Sequence, residues 1–492
     1  MLIVPTHTAK HPTLAMTQPN VQSRRVQRRA AHTTAFDFFN LLTAPELLEH
    51  LETRLPPHRE RLFPPTETLS MFLSQVLSAD GSCRQVVDQA ATARVLGDLP
   101  CCSTATGAYC RARQRVPLAL VRELTRITGA LIRDGNAGKG WWQGRRVRVV
   151  DGTTVSLPDT PANQAAYPQQ SNQKVGLGFP LSRVVAAFDL ADGSVVDAAM
   201  GGYYGKGAHE QALLRQILLR FERGDVVLGD ALYATYFLLA ELQRRGMDAV
   251  FVQHGARQRV TDFRRGKQLG AKDHLITLTK PTKKPAWMDA AAYAAMPASL
   301  TVRELKAGGR ILVTTLRDAT AVPKAALRAL YAQRWQAELN LRHLKTTLGM
   351  HTLRCRTPAM AEKELWVYLL AYNLIRWVMR DSAQLADILA QQISFKHTLQ
   401  LWQSWSTQPR AGEDLEARIQ RLLILVAQHR VGHRPGRIEP RAVKRRPKPY
   451  ALLTVPRAQA RAIVRRHGHP NRKKGEGLNS LARNSENQSL RG

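Results

Sequence analysis

Residues 327–350 read LRALYAQRWQAELNLRHLKTTLGM. Leu330, Ala337, Leu341, Leu344 and Leu348 recur at helical spacing, which predicts one continuous helix with a buried apolar stripe. Beside that stripe Tyr331, Arg334, Glu338 and Lys345 fall within about 60° of one another on the helical wheel. They form a second, polar stripe in which Glu338 is the only acid. Taken alone, such a stripe is a solvated face, and its Arg334/Glu338 pair contributes about 0.3–0.5 kcal/mol. The chain on either side decides whether Glu338 does more.

Immediately upstream, residues 253–318 form a basic segment of short strands and loops, including SLTVREL and GRILVTTLRD. Before it the text is an α/β layer. Residues 145–157 (RRVRVVDGTTVSL), 181–190 (LSRVVAAFDL) and 193–202 (GSVVDAAMGG) read as three strands. A helix from 209 to 222, strand DVVLG, a helix from 235 to 245 and strand DAVFV follow. Asp151 is placed at the end of the first strand and Asp230 directly after the fourth, and carboxyl ends of strands are where open α/β sheets carry chemistry. Asp189, Asp192 and Asp225 fall at strand starts or in turns and read as caps and solvated turn residues. The gap from Asp230 to Glu338 is too long for a plain sheet-to-helix connection, so 253–318 reads as an inserted β-rich subdomain.

Further out, residues 33–135 read as short helices broken by turns, a small helical domain. Within it STATGAYCRARQRV, with Ser103 as its N-cap, places Arg111, Arg113 and Arg115 near a helix end, which suits either a helix on DNA or an ordinary basic surface helix. Residues 1–32 are a polar, basic arm, 351–430 continue as helices, and 431–492 form a basic, Pro-containing tail; arm and tail are expected to be flexible.

Composition names the partner class. Seventy-two Lys and Arg against 38 Asp and Glu leave a formal charge of +34, which calls for a polyanion. Membrane surface competes poorly for that role. The first residues have no continuous signal-like apolar core, and the most apolar stretch, 365–379, is too short to span and carries Arg376. Nucleic acid is the expected partner. The five cysteines form no C-x-x-C pairs and no spread disulfide framework, which suits a reducing cytoplasm.

Three carboxylates, Asp151, Asp230 and Glu338, in a basic setting are the parts of two-metal phosphoryl transfer, whose ligands are hard carboxylate oxygens. The motifs that hold them are DGTT from Asp151, GDALY around Asp230, and Y-x2-R-x3-E-x6-K, matched in full by Tyr331, Arg334, Glu338 and Lys345. On these residues, and on the blocks HTLRCRTPAMAEKEL and LAYNLIRW, the chain resembles the DDE transposases of bacterial insertion sequences, specifically the insertion-sequence-4 family, over roughly residues 140–380.

The resemblance implies a ribonuclease-H-like α/β catalytic core, residues 140–252 and 319–350, split by the β-rich insertion. It implies a cut-and-paste transposase that binds the ends of its own element and joins 3′ ends to target DNA. It further implies Mg²⁺ as cofactor with Mn²⁺ substituting, double-stranded DNA as partner, a homodimer in a synaptic complex, and action at the bacterial nucleoid in the cytoplasm. Tyr331, Arg334 and Lys345 are then expected on backbone phosphates near the cut. Trp287 is a candidate for the insertion's aromatic residue that stacks on a flipped base. Two alternatives stand beside it: a transposase-derived DNA-binding protein that no longer cuts, and a ribonuclease-H-like DNA nuclease.

Overall fold

Val147, Val149 and Val155 enter one apolar core and Val150 enters another, so the strand that carries them, β1 (Val147–Ser156), is buried on both faces. The computed structural model describes residues 63, 65–96, 102–136, 138–205, 207–406, 415–432 and 453–467. The predicted basic arm at 1–32, the first predicted helix and most of the tail at 431–492 lie outside the described residues.

Around β1 stand β2 (Leu181–Asp189), β3 (Val195–Gly202), β4 (Val226–Gly229) and β5 (Asp248–Val252), the strands expected from the alternation. β2 lies antiparallel to both β1 and β3, while β4 pairs parallel with β1 and β5 parallel with β4. The sheet does not end there. β6 (Lys267–Gly270), β7 (Asp273–Thr279), β8 (Ser299–Ala307) and β9 (Arg310–Thr314) extend it in the order β3-β2-β1-β4-β5-β9-β8-β7-β6. The segment read as an inserted subdomain is therefore hydrogen-bonded into the same sheet, through β9 lying antiparallel to β5.

Helices α1 (Pro65–Leu77), α2 (Cys83–Leu96), α3 (Gly107–Arg115) and α4 (Leu118–Gly135) precede the sheet. α3 starts after Thr106 rather than at Ser103, whose hydroxyl instead accepts from the Ala105 N–H in the preceding loop. After the short α5 (Pro161–Ala166), α6 (Glu210–Ile217) and α7 (Tyr236–Arg244) cover one face with Leu213, Leu214, Ile217 and Leu238. The other face packs under α4 and α12 (Pro358–Ala386), which is buried around most of its circumference. Asn373 of α12 ties these layers: its Oδ1 accepts from the Val195 N–H of β3, and its Nδ2 donates to Thr125 O of α4.

Residues 327–350 are not one helix. The chain forms α10 (Lys324–Ala332), after the short α8 (Gly255–Gln258) and α9 (Ala290–Ala294), then a tight turn, then α11 (Trp335–Arg342), then a π-helical turn over His343–Thr347. At the break, Gln333 and Arg334 donate to Leu330 and Tyr331, three residues back instead of four. The predicted apolar stripe is buried throughout. Tertiary packing wins over the continuous helical pattern, because both halves place their leucines in the same core while the break re-aims Arg334.

Asp189, Asp192 and Asp225 are not solvated. Arg148 of β1 is fully buried and donates to Asp189 and to Asp225, each at 2.7 Å, and Asp192 accepts from the Ser194 N–H. The arginine sits directly before the strand's own valine pair and needs acids wherever the neighbouring strand ends pass, which local turn propensity does not register.

Candidate active site

β1 runs five residues beyond Asp151, so this aspartate lies mid-strand and not at its end. The pairing with β4 stops earlier, at Val149 opposite Leu228. Asp151 and Asp230 each stand two residues beyond that last pair, within electrostatic reach of each other. Side-chain alternation then aims both aspartates to the face of Val147, Val149, Val226 and Leu228, where Ala337 and Leu341 of α11 pack. Sequence and topology together thus put the two aspartates under the helix that carries Glu338.

The side chains that join them are those of the polar stripe. The Arg334 guanidinium is hydrogen-bonded to the Glu338 carboxylate and stands 3.8 Å from Asp151 Oδ2. Tyr331 is buried, its ring centre 6.0 Å from the Arg310 guanidinium, and lies within the electrostatic reach of Asp230. Asp230 caps the turn Ala231–Tyr233, its Oδ1 accepting from the Leu232 N–H at 2.8 Å. Asp151 accepts from the Gly152 N–H at 2.9 Å. Burial nevertheless pushes the Asp151 carboxyl up to about 6, with Asp230 and Glu210 adding to the rise against the opposing pull of Gly152 and Arg334. Lys345 is half-buried on the π turn, and its backbone carbonyl is hydrogen-bonded to His351.

Glu210, at the start of α6, is a site residue that the sequence reading misses. Its carboxylate accepts from Tyr233 OH at 3.1 Å and Arg183 Nη1 at 3.4 Å and lies directly against Gly152. Glu210 falls in the first turn of the helix predicted from 209 to 222, where an acid reads as a partner of the helix N-terminus and carries no signal of a site. Tyr233, within GDALY, is the available clue.

Carboxylate oxygens are the donors a hard divalent cation takes, and Asp151 and Asp230 lie within electrostatic reach of each other. Glu338 has not joined them. Among the described residues no three His, Cys, Asp or Glu side chains are grouped to hold a metal ion. Arg334 stands between Asp151 and Glu338 and compensates their charge instead.

The other expected contacts separate. Arg111 and Arg115 are exposed on α3, but Arg113 is buried: it stacks over Phe72 and Tyr109 and reaches Gln75 Oε1 at 3.3 Å and Cys355 Sγ at 3.9 Å. It cannot reach DNA from there, because its guanidinium fastens the helical region to the chain after the π turn. A helix end with Arg at every second position necessarily turns one of them inward. Trp287 is 41% exposed, and its ring is held by Arg215 at 3.6 Å and edge-on by Phe237, not by any of the three carboxylates. No helix among the described residues is long and apolar enough to cross a membrane.

Residues 142–374 match the family described as the transposase DDE domain. Over 306 residues the chain is 29% identical to the transposase InsG for insertion sequence element IS4 from Escherichia coli K12, covering 60% of this chain and 66% of that relative, just under two thirds of its length. A solved structure, the piggyBac transposase synaptic complex with hairpin DNA, aligns with 82% of this chain and 86% of its own at 10% identity and a TM-score of 0.39.

Proposed function

We propose that the chain, whose residues 142–374 match the transposase DDE domain, is a DDE transposase that binds the ends of its own insertion sequence, cleaves them and joins the 3′ ends to target DNA. The observation that supports the proposal is Arg334 standing between Asp151 and Glu338 near the end of the β1–β4 pairing, with Asp230 within electrostatic reach of Asp151 and of Tyr331. Three antiparallel strands continued by two parallel ones, in the order β3-β2-β1-β4-β5, support a ribonuclease-H-like core. The domain limits set out from the sequence, the double-stranded DNA partner and the dimeric synaptic complex belong to the same proposal.

Asp151, Asp230 and Glu338 would hold Mg²⁺ or Mn²⁺, which when bound activates the attacking oxygen and stabilises the leaving one. The rest falls to the protein's own cations. Arg334 now bonds Glu338 and stands 3.8 Å from Asp151, and a backbone phosphate offers its guanidinium a bidentate partner. Arriving DNA can therefore draw the guanidinium off and free Glu338. Lys345, eleven residues further on in the π turn, supplies a second phosphate contact, and the pair fixes the scissile strand over the aspartates.

The test compares the two kinds of residue in gel-shift and nicking assays on element-end DNA. Glu338→Ala loses nicking by orders of magnitude while metal-free DNA binding stays within a few fold. Arg334→Ala and Lys345→Ala weaken the complex and slow the later, geometry-demanding steps, leaving some first-strand nicking. Nicking by Glu338→Ala, or parental behaviour of both cation variants, would overturn the proposal.

A further inference from the structure

Asp151 and Asp230 each have a glycine beside them, and both glycines face the opposite side of the sheet from the aspartates. Alternation turns Gly152 toward α6 and Gly229 toward the core of Val150, Tyr233 and Phe251. Each is needed for close approach. A Cβ on Gly152 would collide with the Glu210 carboxyl group, and one on Gly229 would come within 2.8 Å of Tyr233 Cδ2. The side chains lying on the two glycines are bonded to each other, Tyr233 OH donating to Glu210 Oε2 at 3.1 Å. Arg183 of β2 holds the other carboxylate oxygen at 3.4 Å. Tyr233 is fully buried, and the turn that Asp230 caps delivers it there.

We propose that Glu210 and Tyr233 are positioning residues: their hydrogen bond is a strap across the back of β1 and β4 that sets the separation of Asp151 and Asp230. The inference rests on reading those aspartates as cation ligands. Neither strap residue needs to touch the cation, since both lie on the far face of the strands. What they control is the spacing of two ligands on strands whose pairing stops at Val149 and Leu228, short of the site. Where the sheet's own hydrogen bonds no longer hold β4 to β1, side chains must.

The test is Mn²⁺ binding to the full chain, followed by loss of the free-ion electron paramagnetic resonance signal, with the thermal midpoint of each variant recorded. Glu210→Ala and Tyr233→Phe should each weaken Mn²⁺ binding about tenfold, the size typical for residues that orient metal ligands. The double variant should bind no more weakly than the weaker single one, because both changes cut one bond. Glu210→Gln, which still accepts from the tyrosine, should stay near the parent. Tyr233→Phe, lacking only a hydroxyl, decides the matter where Glu210→Ala fails to fold. Parental Mn²⁺ binding by the single variants beside loss in Asp230→Asn would overturn the strap alone, as would additive effects or a Glu210→Gln defect as large as that of Glu210→Ala. If Asp230→Asn binds like the parent, or the parent binds no Mn²⁺, the cation-ligand reading fails and the strap fails with it.

Discussion

Asp151 carries a cost that its surroundings do not offset. Its pKa rises from an ordinary 3.8 to about 6 in the fold, because burial outweighs one backbone hydrogen bond and an arginine 3.8 Å away. A carboxyl raised in this way contributes stability that is fully present below 3.8 and is lost as pH rises through about 6. In metal-free protein Asp151→Asn should therefore raise stability at pH 8 by on the order of 3 kcal/mol and change it little at pH 4. Urea unfolding at the two pH values checks this, and an Asp151→Asn protein no more stable than the parent at pH 8 would show that the site is not strained in charge. The same substitution removes a proposed cation ligand, so the gain in stability should accompany loss of nicking.

At the scale of elements, α3 shows how one basic helix end divides its arginines between two tasks. Arg113 is the buried fastener between Gln75 of α1 and Cys355, while Arg111 and Arg115 face water. Arg113→Ala should lower stability by about 2–3 kcal/mol, since it empties a stacked site and strips partners from buried polar groups. DNA affinity of the molecules that remain folded should not change. Arg111→Ala or Arg115→Ala should leave the thermal midpoint alone, weaken DNA binding, and reduce the salt slope by about one for each phosphate no longer held. Unchanged binding in both surface variants would remove α3 from the DNA interface. The broken helix at 327–350 makes the complementary point: its two halves obey one apolar stripe, yet the turn between them gives Arg334 its reach to both Asp151 and Glu338.

For the whole molecule, a formal charge of +34 makes phosphate neutralisation the main source of DNA affinity. The logarithm of affinity should fall linearly with the logarithm of salt concentration, with a slope of about −0.9 per phosphate neutralised. Removing residues 1–32 or 431–492 should flatten that slope while leaving the sheet and its carboxylates in place. An affinity indifferent to salt, or truncations that leave the slope unchanged, would rule out these segments as DNA arms.

Periodicity along the chain suffices for the strands from β1 to β5, the helices between them, and the apolar stripe of 327–350, because each follows from which side chains a single element must bury. Local chemistry likewise marks Asp151, Asp230 and the Tyr331/Arg334/Glu338/Lys345 set as unusual. Only the tertiary structure decided the rest, and for one physical reason: these outcomes depend on partners distant in sequence. Residues 267–314 join the core sheet because β9 finds the free edge of β5. Arg113 turns inward because Gln75 and Cys355 arrive beside it. Asp189 and Asp225 are buried because Arg148 is. Glu210 enters the site from the back of the sheet because two glycines on adjacent strands leave room there for it and for Tyr233. No spacing within one segment encodes these meetings. They appear only when the strands and helices pack against one another.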